Sequence, residues 1–386
     1  MYPRSAILLA IVALAAGCSP PDEADSVAGV STEQIAIRGA TVLTGTELNP
    51  KSATTVLVAE GTIRAIGPDA DLKIPAGARV IDASGLTLAP GFIDAHVHIG
   101  FYDPAEVVAG GVTTVRDLGW PPDEIFPLVE RSREPAFDGP RIVAAGPMIT
   151  APGGYPLNAA WAPPGTGLAV ASSEEARSAV TAVADRGASI VKIALNPPVG
   201  PTLSRGLVRE IVSAAHERDL EVTGHISGLE QLNKAIEAGV DELAHMLMST
   251  ESIPDETVEA MVQAEMTVVP TLSVRTGHDR DVAVDNLRRF IAAGGQVVYG
   301  TDLGNEGPQP GIDATEVDAM AAAGMTGLDI VRAATVDAAR LLGLTDTGTV
   351  AEGMRADLVG LRGDATMDVE ALSNIAFVIA GGRVVP

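Results

Sequence analysis

The chain holds a single cysteine, Cys18, among 386 residues. That excludes an intramolecular disulfide and any zinc site built from several thiolates. Aromatic residues contribute only 3% against 46% hydrophobic residues overall, so the core has to be assembled from Ala, Val, Leu and Ile. Basic residues are also scarce: 26 Lys and Arg face 50 Asp and Glu, a formal net charge of −24. Nucleic acid is thereby excluded as a partner, because phosphate binding needs a basic footprint. A neutral or cationic small substrate is favoured instead. Long apolar runs are missing too; the stretch from Ala6 to Ala16 is too short to span a bilayer as a stable helix. There is no short-period repeat. What is plentiful is glycine and proline, 41 and 26 residues spread along the whole chain, which implies many turns and close backbone approaches.

At the N-terminus, Arg4 precedes the apolar run, and Ala15-Ala16-Gly17-Cys18 follows it directly. A short positive end, a short apolar core and a small-residue cleavage site read as a secretory signal. With the cysteine at that spot, the stretch resembles a bacterial lipoprotein signal, departing from it at Ala15, where a larger aliphatic residue is usual. The resemblance implies a signal over residues 1–18, lipidation of Cys18, and an exported protein that meets the membrane of the bacterial cell envelope only through that lipid. An ordinary cleaved signal or an uncleaved anchor is the other reading. Residues 19–33, with Pro20-Pro21 and several acids, read as a disordered tether.

Short strand-like runs separated by Gly, Pro, Asn and Asp fill residues 34–89 and return over residues 345–386. Together they predict one small composite β-sandwich made by both chain ends. Residues 90–344 alternate differently. Strand-like runs fall at 93–98, 113–118, 141–145, 189–195, 221–226, 242–247, 267–272 and 296–300. Helical patterns such as 173–186, 207–218, 228–238 and 254–264 lie between them. Such alternation predicts an α/β fold with a parallel sheet, and eight repeats suit a (β/α)8 TIM barrel. A doubly wound open sheet shares the same local grammar.

The most informative stretch is Pro90-Gly91-Phe92-Ile93-Asp94-Ala95-His96-Val97-His98. Side chains on a strand alternate faces, so His96 and His98 project together, and two imidazoles can then reach one metal ion. Two histidines hydrogen-bonded to backbone at a sheet edge would look the same. In a βα-barrel the active site lies at the C-terminal ends of the strands. The polar residues there are His96, His98, Asp117, Lys192, His225, His245 and Asp302, which takes in four of the six histidines. Lys192 lies in the otherwise apolar Ile190-Val191-Lys192-Ile193-Ala194-Leu195. A buried ammonium is strongly disfavoured, so this lysine must be paired, neutral or modified.

The first stretch resembles the first-strand signature of the metal-dependent amidohydrolase superfamily. Gly110 to Asp117 is similar to its second strand, Ala238 to His245 to its sixth, and Gly300-Thr301-Asp302 to its eighth. Ala333-Ala334-Thr335, Ala338-Ala339 and Gly353 to Leu358 resemble the tail that returns the chain to the β domain. Lys192 with His225 and His245 looks like the imidazolonepropionase-like and prolidase-like branch. The resemblance implies two divalent metal ions, zinc by preference. One would be held by His96, His98 and Asp302, the other by His225 and His245, with carboxylated Lys192 and a hydroxide bridging them. It implies hydrolysis of a carbon–nitrogen bond, with Asp302 as the catalytic proton carrier. The substrate would be a small amide, cyclic amide or dipeptide. A prolidase-like dipeptidase and a non-catalytic metal- or ligand-binding lipoprotein are the competing readings.

Around this set, Tyr155, a candidate substrate contact, stands in Gly153-Gly154-Tyr155-Pro156, where the branch often carries a histidine, and Trp161 follows in a stretch suited to wall the pocket. Arg275 and His278, after the seventh strand, are candidates for meeting a substrate carboxylate; a solvated loop is the plainer reading. Asp117 has two: a hydrogen bond to a metal ligand, or an ion pair with Arg116 or another base. His216, at a helix end, reads as surface.

Overall fold

In the computed structural model, residues 33–247 and 252–386 are described; Cys18, the signal and the tether up to residue 32 lie outside them. The described chain begins in strands, as its β-branched runs require. These are β1 (Ile35–Thr44), β2 (Asn49–Ala59), β3 (Thr62–Pro68), β4 (Arg79–Asp82) and β5 (Leu86–Pro90). Glu60 and Gly61 turn the chain between β2 and β3 with φ of 51° and 75°, the left-handed pair that a two-residue hairpin favours.

The central region supplies β6 (Phe92–Val97), β7 (Val112–Asp117), β8 (Arg141–Ala144), β9 (Met148–Thr150) and β10 (Gly167–Ala169). It continues with β11 (Val191–Leu195), β12 (Val222–Ile226), β13 (Glu242–Leu243) and β14 (Thr267–Val268). Strands β6, β7 and β8 pair in parallel, as do β11, β12, β13 and β14. Backbone hydrogen bonds close the ring. Ser189 N donates to Ala144 O at 2.9 Å, joining β8 to β11. On the far side, Val298 N donates to Val268 O at 3.0 Å and Ala95 N to Tyr299 O at 3.1 Å. The segment around 296–303 is therefore the eighth stave, and the expected (β/α)8 barrel is present. β9 and β10 are additions after the third stave, with Ile149 pairing in parallel with Ile193.

Helices cover the outside where the pattern placed them, at Ser173–Asp185, Arg205–His216, Leu229–Ala238 and Asp255–Gln263. Their boundaries follow local chemistry. Ser172 and Ser204 accept hydrogen bonds from Glu175 N and Leu207 N as N-caps, and Gly239 ends its helix in the left-handed conformation. Among the described residues no helix is long and apolar enough to cross a membrane.

The chain then returns as β15 (Leu358–Arg362), β16 (Ile375–Ala380) and β17 (Arg383–Val384). β15 pairs antiparallel with β5, so both chain ends form one eight-stranded mixed sheet, ordered β17-β16-β15-β5-β1-β2-β3 with β4 on β1. It curls over its own small core, which includes Ile35, Ile37, Val56, Ile63, Leu88 and Ile379.

Inside the barrel, Arg116 and Glu242 form a fully buried ion pair at 2.6 Å. Arg116 Nε also donates to Ala95 O, and Thr223 Oγ1 to the other Glu242 oxygen. With its partners satisfied, this network ties together four staves; removing one member of such a pair costs about 3–5 kcal/mol. Neither reading of Asp117 matches its contacts among the described residues. Arg116 is taken by Glu242, and the Asp117 carboxylate instead accepts from Ile99 N at 2.9 Å and Gly119 N at 3.0 Å.

Candidate metal centre

The end of β6 and the eighth stave approach closely at the barrel mouth. A Cβ at Gly300 would sit 3.0 Å from His96 N and 2.4 Å from Val269 Cγ1, so only glycine lets the two staves close. His98 N donates to Leu303 O and Asp302 N to His96 O, which fixes the carboxylate against both imidazoles. Asp302 Oδ1 lies 3.3 Å from His96 Nε2 and 3.2 Å from His98 Nε2, and all three side chains are buried.

The outer ring nitrogens settle which atoms carry protons. His96 Nδ1 is 2.9 Å from Ala244 O and His98 Nδ1 is 3.1 Å from Gly119 O. A carbonyl oxygen only accepts, so Nδ1 is the donor in each ring and Nε2 presents a lone pair. Two imidazole lone pairs and a carboxylate oxygen thus converge, an arrangement that repels itself unless a cation is shared. His96 Nε2, Asp302 Oδ1 and Lys192 Nζ are all buried without a hydrogen-bond partner in the protein. Two of these atoms, His96 Nε2 and Asp302 Oδ1, lie 3.3 Å apart, and among the described residues nothing else meets them, which fits a bound metal. Asp117 contributes by holding the backbone of Ile99 and Gly119, the two residues that frame His98.

His225, on β12, and His245, just beyond β13, complete the cluster. His225 Nδ1 lies 2.9 Å from His245 Nε2, and the His245 ring centroid is 4.7 Å from that of His96. Ligand atoms of His96, His245 and Asp302 lie within 4.8 Å of one another, a geometry able to hold one ion. His245 Nδ1 is 2.8 Å from Thr271 Oγ1, and His225 Nε2 faces the side-chain amide of Asn196 at 3.1 Å. The amide nitrogen, Nδ2, is the atom that faces the ring, so His225 Nε2 accepts and Nδ1 donates toward His245 Nε2.

Electrostatics follow from burial. It holds His96, His225 and His245 well below the ordinary imidazole range, with the Lys192 charge adding to the effect, so these rings are neutral. For His98, burial also acts downward, but the carboxylates of Asp302 and Asp117 outweigh it and raise its pKa. The position thus attracts positive charge, a proton or a metal ion. Burial pushes the Lys192 ammonium down to about 7, leaving much of it as free amine at neutral pH.

An aromatic wall covers the cluster. Tyr155 stacks on His225 with centroids 4.7 Å apart and 26° between planes, and Trp161 lies 5.2 Å from His98. Burial raises the Tyr155 phenol far above its usual range, so it stays protonated.

Thr271 has φ 49° and ψ 49°. A β-branched residue in the left-handed region is strained, and here the strain delivers its hydroxyl to His245. Thr271→Val keeps the shape and removes the acceptor. Metal binding is expected to weaken by roughly 10- to 100-fold in chelator competition, with Thr271→Ser close to wild type. Unchanged affinity in the valine variant would remove Thr271 from this role.

A sequence profile of the amidohydrolase family matches residues 87–385. The chain belongs to the amidohydrolase family. Over 347 residues it is 28% identical to an uncharacterised protein of Mycobacterium tuberculosis, covering 80% of this chain and 87% of that one. Over 168 residues it is 30% identical to the imidazolonepropionase of Deinococcus deserti, covering 42% and 40% of the two chains. Among solved structures, a Xaa-Pro dipeptidase with bound methionine superposes with a TM-score of 0.77 at 23% identity, over 91% of this chain and 99% of that one, a likeness of fold. The protein is therefore an amidohydrolase-family hydrolase with a buried His, His and Asp metal-ligand cluster.

Within this amidohydrolase, His96, His98, His225, His245 and Asp302 come together, and Lys192 is buried in their electrostatic reach. Arg275 lines a cavity that also includes Asp302. His278 is exposed in the first turn of the helix Gly277–Ala292 and does not line that cavity, whereas Arg280 does. His216 is exposed at its helix end and paired with Asp241. Sequence reasoning passed over Asn196, Thr271 and Arg280. The first two sit at or just past strand ends, where the same barrel rule would have found them.

Proposed function

We propose that this amidohydrolase cleaves a carbon–nitrogen bond in a small amide, cyclic amide or dipeptide, using two divalent ions, zinc by preference. The observation that carries the reading is the meeting of His96 Nε2 and His98 Nε2 with Asp302 Oδ1, with the buried Lys192 amine in their electrostatic reach. His96, His98 and Asp302 would hold one ion, and His225 and His245 the other. Lys192 would bridge them after its neutral Nζ adds to carbon dioxide: an N–C bond forms, a proton leaves, and the carbamate offers two oxygens. Bound there, such ions polarise a carbonyl oxygen and lower the pKa of water. Asp302 takes the proton of the attacking water and gives it to the leaving nitrogen, so water and amide become acid and amine. Tyr155 and Trp161 shield the reacting centre, while Thr271 holds His245 through its Nδ1.

The fold shared with a Xaa-Pro dipeptidase supports dipeptides as one substrate group to try. The test is a panel of acyl-amino acids, lactams, esters and Xaa-Pro dipeptides with the metal-loaded protein. Hydrolysis of a C–N bond is expected; inertness to the whole panel would favour a binding lipoprotein instead. The proposed setting is the cell envelope, through a lipid on Cys18. In a bacterial host, fatty-acid label should follow the protein into membranes and vanish in Cys18→Ser. Equal labelling of the two would remove the anchor.

A further inference from the structure

The backbone of Asp302 has φ 61°, in the left-handed region that L side chains rarely adopt. An aspartate settles there most readily when its own side chain bonds locally. Here the carboxylate is turned to the imidazoles instead, with Oδ1 3.3 Å from His96 Nε2 and 3.2 Å from His98 Nε2. The surrounding structure therefore has to hold the turn. A second buried carboxylate, Asp94 on β6, is placed to do so. Its Oδ1 accepts from His96 N at 3.0 Å and from Thr301 N at 3.1 Å, and its Oδ2 accepts from Thr301 Oγ1 at 2.6 Å. With its proton given to Asp94, the Thr301 hydroxyl accepts from Leu303 N at 3.1 Å. The remaining amide, Asp302 N, donates to His96 O at 2.7 Å. Every backbone N–H from 301 to 303 is thus held, two by the Asp94–Thr301 pair and one by the residue whose own N–H Asp94 binds.

We propose that Asp94, acting through Thr301, is the positioning residue of the metal centre, holding the left-handed turn that aims Asp302 at His96 and His98. The inference rests on the metal site and on the proton transfer proposed for Asp302. Asp94 is not itself a ligand in this arrangement, because both of its oxygens are engaged by protein donors. An acid suits the position, since three donors converge on it and a carboxylate only accepts. An asparagine amide would turn N–H groups toward one side of that trio, and a donor now satisfied would lose its acceptor. The clasp also falls where it can act on both ligands at once. Asp94 and Thr301 are 207 positions apart and join the first stave to the eighth, where the barrel closes and His96 meets Asp302. Without the clasp, residue 302 is free to relax toward an ordinary backbone and carry its carboxylate off the shared ion. Outer partners of this kind orient the groups that touch a metal without touching it themselves.

The test measures zinc affinity of the full chain by chelator competition, at a temperature where circular dichroism shows each variant folded. Thr301→Val keeps the β-branched shape and removes the hydroxyl, Thr301→Ser keeps the hydroxyl, and Asp94→Asn keeps the shape of the acid. Thr301→Val and Asp94→Asn are each expected to weaken binding by roughly 10- to 100-fold, with Thr301→Ser close to wild type. If the valine variant does not fold, Asp94→Asn set against Thr301→Ser carries the comparison. A stitch that only stabilises the fold would lower the melting temperature and leave the zinc affinity of the folded protein unchanged; that result overturns the proposal. So does a loss in Thr301→Ser as large as in the valine variant. With a substrate that the wild type hydrolyses, kcat should fall in Asp94→Asn while KM changes little, since a proton carrier is misplaced and no substrate contact is lost. Weakened zinc in the variants of a wild type that hydrolyses nothing would sink C–N cleavage and leave the clasp standing.

Discussion

Asp302→Asn is expected to lower turnover by about 10²- to 10⁴-fold, the usual worth of a positioned proton carrier. The same variant should keep part of its metal. Asparagine preserves the shape and one ligand oxygen, and the backbone of the position is fixed by Asp302 N donating to His96 O. What disappears is the ability to accept a proton from water and release it to nitrogen. Among the described residues Oδ1 is without a hydrogen-bond partner and lies 3.3 Å and 3.2 Å from the Nε2 atoms of His96 and His98. Kinetics and elemental analysis of one preparation separate the two roles. Turnover within a few-fold of wild type would mean that another group moves the proton.

Lys192→Ala should abolish most activity, again by orders of magnitude, and short carboxylic acids such as formate or propionate should restore some of it. The side chain is buried and its amine has no hydrogen-bond partner, with a pKa pushed down to about 7 by burial. A neutral amine adds to carbon dioxide and an ammonium does not, so restoring the carbamate after acid treatment should speed up as pH rises through about 7. The unfolded lysine, near 10.5, holds a proton that the folded amine has shed above about 7, so an unmodified Lys192 makes the fold more stable as pH rises between those values. Failure of carboxylic acids to rescue would leave Lys192 unmodified.

The parts of this site that the sequence showed are those tied to a single strand. His96 and His98 announce themselves because a strand alternates, and each further polar residue was found by reading the end of one stave. Lys192 stood out as the one charge in an apolar run. What could not be read is whatever depends on two distant strands meeting. Arg116 had an adjacent acid, Asp117, yet pairs with Glu242, which lies 126 positions away and is brought in by barrel closure. Thr271 owes its contact with His245 to a left-handed backbone that a β-branched residue rarely adopts. The strands β9 and β10 are three residues each, too short for periodicity to register. Arg280 and His278 share one helix, and only the helix's placement chooses between them.

Metal quantification of the purified protein, wild type beside His96→Ala and His245→Ala, tests the central claim most directly. The account predicts tightly bound divalent transition metal in the wild type, approaching two equivalents per chain, with a marked loss in each variant. A wild-type protein that binds no such metal under saturating conditions, or variants that bind as much as it does, would contradict it.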